Sequence, residues 1–376
     1  MEFIDLKAQY QKLKEEIDQN IQKVIDHAHF IMGPEVEEFE RELVQYSGRK
    51  YAVTCGNGTD ALQLAYLAYG IGRGDAVFCP DVTFIASIEP ACMLGATPVF
   101  CDIQADTYNI SPESLERQIK NVLKKGEHRP KAVVSVDFLG NPSAFEEIEG
   151  ICKKYDLILI EDGAQGFGAS YHGKPCLSYG DIGCTSFFPA KPLGCYGDGG
   201  AVFTDDAHIN ELLRSLKVHG KGASKYDNVR VGMNSRLDTL QAAILIPKLH
   251  ALLEYEMDAR QAVAKRYNEA FEGHFITPYV SEGCISNYAQ YALLADTTEQ
   301  RNRSMEALKR AEIPTLVYYP TPQHELKVFE GNPYLEESFE NAKRYCATTF
   351  SLPMHPYLTQ EAQDRVIDAV LSSVEK

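Results

Sequence analysis

The sequence has little of what membrane, zinc-binding and nucleic-acid-binding proteins need. No stretch approaches the roughly 18 consecutive apolar residues of a membrane-spanning helix, so we expect no contact with a membrane. The ten cysteines include no C-x-x-C pair, which argues against a zinc or redox site and favours buried free thiols. Acidic residues outnumber basic ones by 53 to 37, and no Lys/Arg cluster forms the basic face that a nucleic-acid partner would require.

The N-terminal residues also lack the basic segment and the apolar segment of a secretion signal. Together with the free thiols, this predicts a protein of the reducing cytoplasm. A length of 376 residues is typical of one large domain with a smaller one, and 44% hydrophobic residues suit a globular enzyme.

After two amphipathic helical patterns, the first half of the chain alternates short apolar runs with helical periodicity. This alternation predicts an α/β fold with a mostly parallel sheet covered by helices. The strand-like runs lie at 51–55, 76–79, 97–102, 131–138 and 157–161.

The second half begins with a long helical pattern over 237–273, in which Pro247 predicts a kink or a break. The strands and helices that follow suggest a small α+β domain. We therefore expect a large domain over 1–245 and, over 246–376, a bridging helix with the small C-terminal domain.

Three segments of the large domain carry candidate chemistry. Asp162 ends a buried strand, where it could bind a metal, a ribose or a protonated ring nitrogen, or simply cap a turn. Lys191 stands among apolar residues and glycines, and is either a lysine of lowered pKa or a surface residue in a turn. The loop at 56–59 enters a helix and is either a phosphate cradle or a plain helix cap.

A phosphate cradle, a carboxylate and a buried lysine together form the set that pyridoxal 5'-phosphate needs. The carboxylate keeps the pyridine nitrogen protonated, and the ring then acts as an electron sink. The lysine holds the aldehyde and moves a proton. No cluster of ligands predicts a metal site.

Five short segments stand out along the chain, namely GNGTDAL at 56–62, EDGAQ at 161–165, SFFPAK at 186–191, GDGGA at 197–201 and NSRLD at 234–238. In the order and spacing of these segments, the chain resembles the DegT/DnrJ/StrS sugar aminotransferase family. The resemblance implies an aminotransferase of the pyridoxal-phosphate-dependent fold type I (aspartate aminotransferase-like), normally a homodimer with its sites at the interface. Relatives with histidine at the lysine position run dehydration chemistry, so Lys191 favours transamination.

Carried over by position, the resemblance implies a role for nine residues. Lys191 would be the Schiff-base lysine, and Asp162 would pair with the pyridine nitrogen. The remaining cofactor contacts would be Gln165 at the ring oxygen, Phe84 on the ring face (or in the core), Gly58, Thr59, Asp60 and Ser186 at the phosphate, and Asn234 reaching the phosphate from the partner subunit.

Within the family, the segments 187–200, 230–238 and 351–358 most resemble enzymes that aminate a UDP-linked 2-acetamido-2-deoxy-3-keto-glucuronate. Such a substrate adds a carboxylate, which Arg236 would bind bidentately unless it forms an interface salt bridge. Lys225 would supply a second cation. Tyr318 and Tyr319 would contact the sugar, although Tyr318 stands where the resembling enzymes have histidine.

The implied donor is L-glutamate, which would convert the cofactor to pyridoxamine phosphate before the keto-sugar takes the amino group. Two alternatives stay open. One is an aminotransferase for another nucleotide-linked 3-keto or 4-keto (6-deoxy)hexose, and the other is a non-enzymatic regulator on the same fold. A role in cell-surface polysaccharide (O-antigen) synthesis is implied by the family alone. His219 would end a helical segment, and His355 receives no role.

Overall fold

A computed structural model describes residues 1–224 and 226–374. Two helices open the chain, α1 (Leu6–His27) and α2 (Pro34–Ser47). The Asp5 side chain caps α1 by accepting from the backbone N–H of Ala8 at 2.8 Å. Helix α2 begins at a proline and ends before Gly48, whose φ of 70° suits glycine at a helix end. Both helices confirm the predicted amphipathic patterns.

A seven-stranded sheet forms the centre of the large domain. The strands of this first part of the chain are β1 (Tyr51–Cys55), β2 (Asp75–Pro80), β3 (Thr97–Cys101), β4 (Arg129–Val136), β5 (Ile158–Asp162), β6 (Ser170–Tyr171), β7 (Lys174–Pro175), β8 (Ile182–Ser186) and β9 (Gly200–Thr204). The large sheet has the order β1-β9-β8-β5-β4-β2-β3. Strand β9 is antiparallel to β1 and β8, and the other pairings are parallel. Six strands therefore end at one edge.

Helices cover both faces of this sheet, which confirms the predicted α/β fold. They are α3 (Gly58–Ala68), α4 (Glu89–Met93), α5 (Pro112–Lys125), α6 (Phe145–Tyr155) and α7 (Ala207–Leu216). The buried faces of α5 and β2–β5 share one apolar cluster, while α3 packs on the other face with β1, β8 and β9. The central strands are thus apolar on both faces, as parallel strands must be.

The predicted long helix is present but irregular at a different place. It consists of α8 (Thr239–Ala251), a π-helical turn at Leu252–Glu256, and α9 (Met257–Phe271). The expected break at Pro247 does not occur, since Pro247 lies inside α8, and a kink there stays a prediction. A proline leaves the carbonyl four residues earlier without its helical donor. Here that carbonyl, of Ala243, accepts from the Asn20 side chain at 3.4 Å.

The C-terminal part forms a smaller α+β unit around a two-stranded antiparallel sheet. Its elements are β11 (Tyr291–Leu294), α10 (Thr298–Arg310), α11 (Glu340–Thr348), β12 (Thr349–Leu352) and α12 (Gln360–Leu371). Strand β10 (Cys284–Ile285) instead pairs with β6 in a three-stranded sheet with β7. The apolar cluster of the smaller unit begins at Val263, whereas the cluster of the large domain continues along α8 to Leu252. The boundary at 245/246 stays a prediction, and it falls inside α8.

All ten cysteines are free thiols, as expected. Among the residues that the structure describes, no helix is both long and apolar enough to cross a membrane. His355 is buried, and burial lowers the pKa of its imidazole to about 4.

The packing of α2 against the segment after β8 yields a first prediction. Phe39 is fully buried, and its ring meets Phe187 edge to face at 5.3 Å between centroids. Phe39→Ala should lower the free energy of unfolding by about 3–5 kcal/mol, measured by urea denaturation, because it leaves a cavity. The exposed Val328 offers a control, since Val328→Ala should change stability by less than about 0.5 kcal/mol. Equal effects of the two substitutions would contradict this account of the core.

Candidate active site

A cavity of about 680 Å³ opens at the edge where the parallel strands end. Ligands of open α/β sheets bind at this edge, because the loops that follow the strands converge there. Ten residues predicted from the sequence line the cavity: Gly58, Thr59, Asp60, Phe84, Asp162, Gln165, Ser186, Lys191, Tyr318 and Tyr319. Segments far apart in the chain thus meet as expected.

The N-terminus of α3 forms one end of the cavity. Asn57 caps the helix, its side chain accepting from the backbone N–H of Asp60 at 2.7 Å. The N–H groups of Gly58 and Thr59 belong to the first turn, where a helix offers amides without intrahelical partners to an anion. A Cβ on Gly58 would lie 2.6 Å from the Cβ of Ser186, so only glycine lets β8 approach so closely. Ser186 thereby brings its hydroxyl beside the helix N-terminus.

The backbone N–H and one carboxylate oxygen of Asp60 are already hydrogen-bonded to neighbouring residues. Its backbone N–H is bonded to Asn57, and its Oδ2 accepts from the Ser235 hydroxyl at 2.6 Å. The Ser235 hydroxyl in turn accepts from the Gly56 N–H at 2.8 Å. Asp60 therefore ties the segment around Ser235 to the cradle, and a direct bond from Asp60 to a phosphate stays a prediction.

The Asp162 carboxylate lies at the C-terminus of β5, buried at the base of the cavity. Its Oδ2 accepts from the Ser87 hydroxyl at 2.7 Å, and its Oδ1 accepts from the Ala164 N–H at 3.2 Å. Burial raises the pKa of Asp162, while these bonds and the charge of Lys191 oppose the rise. The carboxylate thus keeps donors that favour its ionised form.

Lys191 lies in the loop between β8 and β9, as the glycines and Pro192 predicted. Its backbone N–H donates to the Phe188 carbonyl at 2.9 Å, which turns the chain so that the side chain faces the cavity. Burial lowers the pKa of the Lys191 ammonium below its ordinary 10.5, and the Asp162 carboxylate opposes this effect. A lysine that loses its proton more readily is a better nucleophile and base.

Gln165 has an orientation fixed by the backbone. Its Oε1 accepts from the Leu139 N–H at 2.6 Å, which leaves the amide N–H groups as its donors. Burial raises the pKa of the Tyr319 hydroxyl, and the Gln165 side chain opposes this rise.

Aromatic rings form one wall of the cavity. Phe84 is 54% exposed, so it is not a core residue, and its ring lies 5.9 Å from that of Tyr319. Tyr319 also contacts Phe138 at 6.2 Å between centroids. Flat apolar faces of this kind suit an aromatic ligand ring.

Two predicted residues lie outside this lining, and a third lies outside the described residues. Asn234 is exposed and forms a bridge with Val218, and Arg236 is half-buried two residues later. Lys225 is not among the described residues. The sequence prediction placed Asn234 in the site of a partner subunit, and this stays a prediction.

Sequence reasoning missed several residues that line the cavity. They are Asn57, Leu62, Thr83, Ala86, Ser87, Val136, Ala164, Phe188, Ala190, Asp198 and Gln290. Thr83 and Ser87 were detectable, because polar residues four apart just after a buried strand share one side of a turn. Their hydroxyls lie 2.7 Å apart. Gln290 offers no comparable signal, since it reaches the cavity from the small domain.

The family model of the DegT/DnrJ/EryC1/StrS aminotransferases matches residues 11–371. The chain belongs to this aminotransferase family. It is 44% identical, over 99% of its length and 100% of the relative's, to the UDP-2-acetamido-2-deoxy-3-oxo-D-glucuronate aminotransferase of Pseudomonas aeruginosa.

Solved structures of the family superpose closely on this chain. A DegT DnrJ EryC1 StrS aminotransferase from Brucella abortus gives a TM-score of 0.97 at 41% identity, with both chains fully covered. DesV of S. venezuelae, crystallised with a ketimine intermediate, gives 0.93 at 34% identity and covers 100% of this chain and 98% of its own. The fold is therefore that of the fold type I transferases, and the chain is an aminotransferase that uses pyridoxal 5'-phosphate.

The residues present fit this cofactor. The α3 N-terminus and Ser186 offer donors to a phosphate, and Phe84 offers a flat face to a ring. Asp162 offers a carboxyl group whose donors favour its ionised form, and Lys191 offers an amine of lowered pKa.

The close approach of α3 and β8 predicts the effect of one added methyl group. Gly58→Ala should push Ser186 away and weaken binding of pyridoxal 5'-phosphate by at least about tenfold, which one lost charge-assisted hydrogen bond accounts for. Titration of the cofactor by absorbance measures this affinity. A Cβ on the helical Gly150 meets nothing within 4 Å, so Gly150→Ala should bind the cofactor normally. Equal affinities for both variants would refute the cradle.

The bond from Ser87 to Asp162 predicts a shift in pH dependence. Ser87→Ala removes a donor that favours the ionised carboxylate, so the pKa of Asp162 should rise further. The acid limb of kcat/KM against pH should then move upward by about 0.5–1 pH unit. Ser178 bonds the Pro175 carbonyl outside the cavity, and Ser178→Ala should leave the profile in place. An unmoved acid limb in Ser87→Ala would mean that another group titrates.

Proposed function

We propose that the chain transfers the amino group of L-glutamate to a nucleotide-linked keto-sugar, UDP-2-acetamido-2-deoxy-3-oxo-D-glucuronate. The full-length similarity to the Pseudomonas aeruginosa enzyme of that name supports this substrate. The observation on which the chemistry rests is the placement of Lys191 and Asp162 in one cavity with the phosphate cradle.

Each residue has a task that follows from its position. Gly58, Thr59 and Ser186 would hold the cofactor phosphate, Asp162 the ring nitrogen, Gln165 the ring oxygen and Phe84 the ring face. When bound, pyridoxal 5'-phosphate supplies an electron sink for the carbon that exchanges its amino group. Lys191 would hold the cofactor covalently at rest, and its Nζ would then take a proton from that carbon and return it. Its lowered pKa suits both tasks.

The charge of the cavity bears on how an anionic sugar nucleotide is held. Asp60, Asp162 and Asp198 contribute acids to the lining, and Lys191 is the cation that the described residues contribute. A substrate with a diphosphate and a uronate carboxylate needs further cations, because the net charge of −16 opposes its approach. We assign the carboxylate to Arg236 and a supporting charge to Lys225.

The segment 234–236 lies beside the α3 N-terminus through the Ser235–Asp60 bond, yet Asn234 and Arg236 do not line the cavity of the same chain. This arrangement favours a homodimer in which the segment of one subunit completes the site of the other. Tyr318 and Tyr319 would contact the sugar, with the tyrosine at 318 replacing the histidine of the resembling enzymes. The proposed setting is cytoplasmic.

The reverse half-reaction tests the proposal. The purified enzyme with pyridoxal 5'-phosphate is mixed with UDP-2-acetamido-3-amino-2,3-dideoxy-glucuronate, and the absorbance of the bound cofactor is followed. Conversion to the pyridoxamine form is expected, and Lys191→Ala should show none. Conversion by L-glutamate but not by the sugar would retain the enzyme class and refute the uronate. Conversion by neither would refute both the donor and the uronate.

Substitution of Arg236 tests the carboxylate contact. Arg236→Ala should raise KM for the uronate by about 10–100-fold, the value of a lost charge-assisted hydrogen bond, while a UDP-sugar without the carboxylate should be unaffected. Steady-state kinetics with both sugars measure the difference. Arg230 precedes Arg236 in the segment 230–238 and donates to the Ser215 hydroxyl of α7, so Arg230→Ala serves as the matched control. An equal loss with both sugars would refute the assignment.

A further inference from the structure

Two buried carboxyl groups lie directly behind the active-site cavity. Asp137 follows β4, Glu161 is the penultimate residue of β5, and both are fully buried beside the Cys176 thiol. One oxygen of each carboxyl and the sulfur of Cys176 lie within 4.8 Å of one another. Neither carboxyl has a role in the function proposed above.

Hydrogen bonds distinguish the two groups. Glu161 accepts from two backbone amides, those of Leu177 and, at 2.9 Å, Tyr179. Asp137 accepts from the Ser143 N–H at 3.3 Å through Oδ1, while its buried Oδ2 has no partner. Two ionised carboxylates so close together and away from water would repel strongly. A proton on Asp137 Oδ2, donated to Glu161, removes both the repulsion and the unpaired oxygen.

The pair packs against the turn that carries the cofactor-facing side chains. The backbone N–H of Asp137 donates to the Asp162 carbonyl at 3.1 Å, and the turn closes with a 3.0 Å bond from the Gly166 N–H to the Gly163 carbonyl. A Cβ on Gly166 would lie 2.3 Å from Asp137 Oδ2, so the carboxyl touches the backbone of the turn. A Cβ on Gly163 would lie 3.5 Å from the same oxygen, so Asp162 and Gln165 each directly precede a glycine that faces Asp137.

We propose that Asp137 and Glu161 share one proton and are positioning residues, which hold the turn at 163–166 so that Asp162 and Gln165 face the cofactor. The inference depends on the cofactor role of the site and not on which sugar is aminated. No bond to the substrate is formed, and the proton stays within the pair through the reaction.

The electrostatics of the surroundings agree with a single negative charge. Burial, followed by the charge of Glu161, raises the pKa of Asp137 well above its ordinary 3.8. Burial raises the pKa of Glu161 to about 7, while its two amide bonds and the positive charge of Arg49 oppose the rise. The other titratable groups that face the pair are neutral when buried, namely Tyr46, Cys176, Tyr179 and Cys184.

The proton shared by Asp137 and Glu161 predicts that the stability of the fold depends on pH, and that Asp137→Asn removes this dependence. A folded-state pKa above the unfolded value gives stability that is complete below about pH 4 and declines as the pH rises towards the folded pKa. Asp137→Asn keeps a donor to Glu161 but cannot ionise. The measured quantity is the unfolding equilibrium constant of the wild type divided by that of Asp137→Asn. This ratio should increase by about tenfold per pH unit between about pH 5 and about pH 7. Urea denaturation of the cofactor-loaded proteins measures it.

The positioning role predicts a separate pattern in cofactor binding. Asp137→Ala removes the donor to Glu161 and the contact with Gly166, and should weaken binding of pyridoxal 5'-phosphate by about 10–100-fold, whereas Asp137→Asn should stay within about threefold of the wild type. Asp75 is a buried acid paired with Arg129 near the amino end of β2, so Asp75→Asn controls for general destabilisation and should bind normally.

Each possible result decides the inference. A pH-independent ratio between wild type and Asp137→Asn would overturn the shared proton, even if Asp137→Ala fails to fold. Equal cofactor affinities in Asp137→Ala and wild type would overturn the positioning role. One tightly held metal per protomer, found by elemental analysis and removed by a chelator with loss of stability, would replace the proton by an ion on Asp137, Glu161 and Cys176. None of these measurements uses the sugar, so the substrate can be wrong while this inference stands.

Discussion

The burial of one carboxyl group, that of Asp162, is the constraint on which the arrangement of this site depends. Asp162 is shielded from water, and burial raises the pKa of its carboxyl group. Ser87, the Ala164 amide and the charge of Lys191 oppose that tendency, and each comes from a different loop at the same sheet edge. The order of the strands is therefore an electrostatic requirement as well as a packing one, because it brings these donors to one oxygen pair.

Close backbone contacts convert that edge into a rigid cavity. Gly58 lets α3 touch Ser186, and Gly200 lets β9 pass the Asn57 carbonyl, where a Cβ would lie 2.4 Å from the oxygen. Ser186 of the cradle is the last residue of β8, and the loop of Lys191 joins β8 to β9, so β8 connects the proposed phosphate and aldehyde contacts. Asp162 and Gln165 lie in and beside the turn at 163–166, and this turn packs against Asp137.

The charge distribution connects the site to assembly. The lining of one chain is rich in acids, whereas the proposed sugar nucleotide is an anion. In the segment 234–236, Arg236 directly follows Ser235, whose hydroxyl bonds Asp60 of the cradle, yet Arg236 does not line the cavity of its own chain. A second subunit that supplies this segment would offset the acids locally, while the negative surface of the remaining molecule stays unchanged.

The sequence by itself determined the fold class and most of the proposed cofactor contacts, because strand ends, glycine loops and a lysine among apolar residues are local patterns. It placed Asp162 correctly at a strand end and Lys191 correctly in a loop. The break that it allowed at Pro247 does not occur, and Asn20, from a distant helix, donates to the freed carbonyl. Tertiary structure alone decided that Ser87 bonds Asp162, that Gln290 reaches the cavity and that Asp137 meets Glu161. Those contacts join residues far apart in sequence, and no periodicity or spacing encodes a distance that only the packed sheet creates.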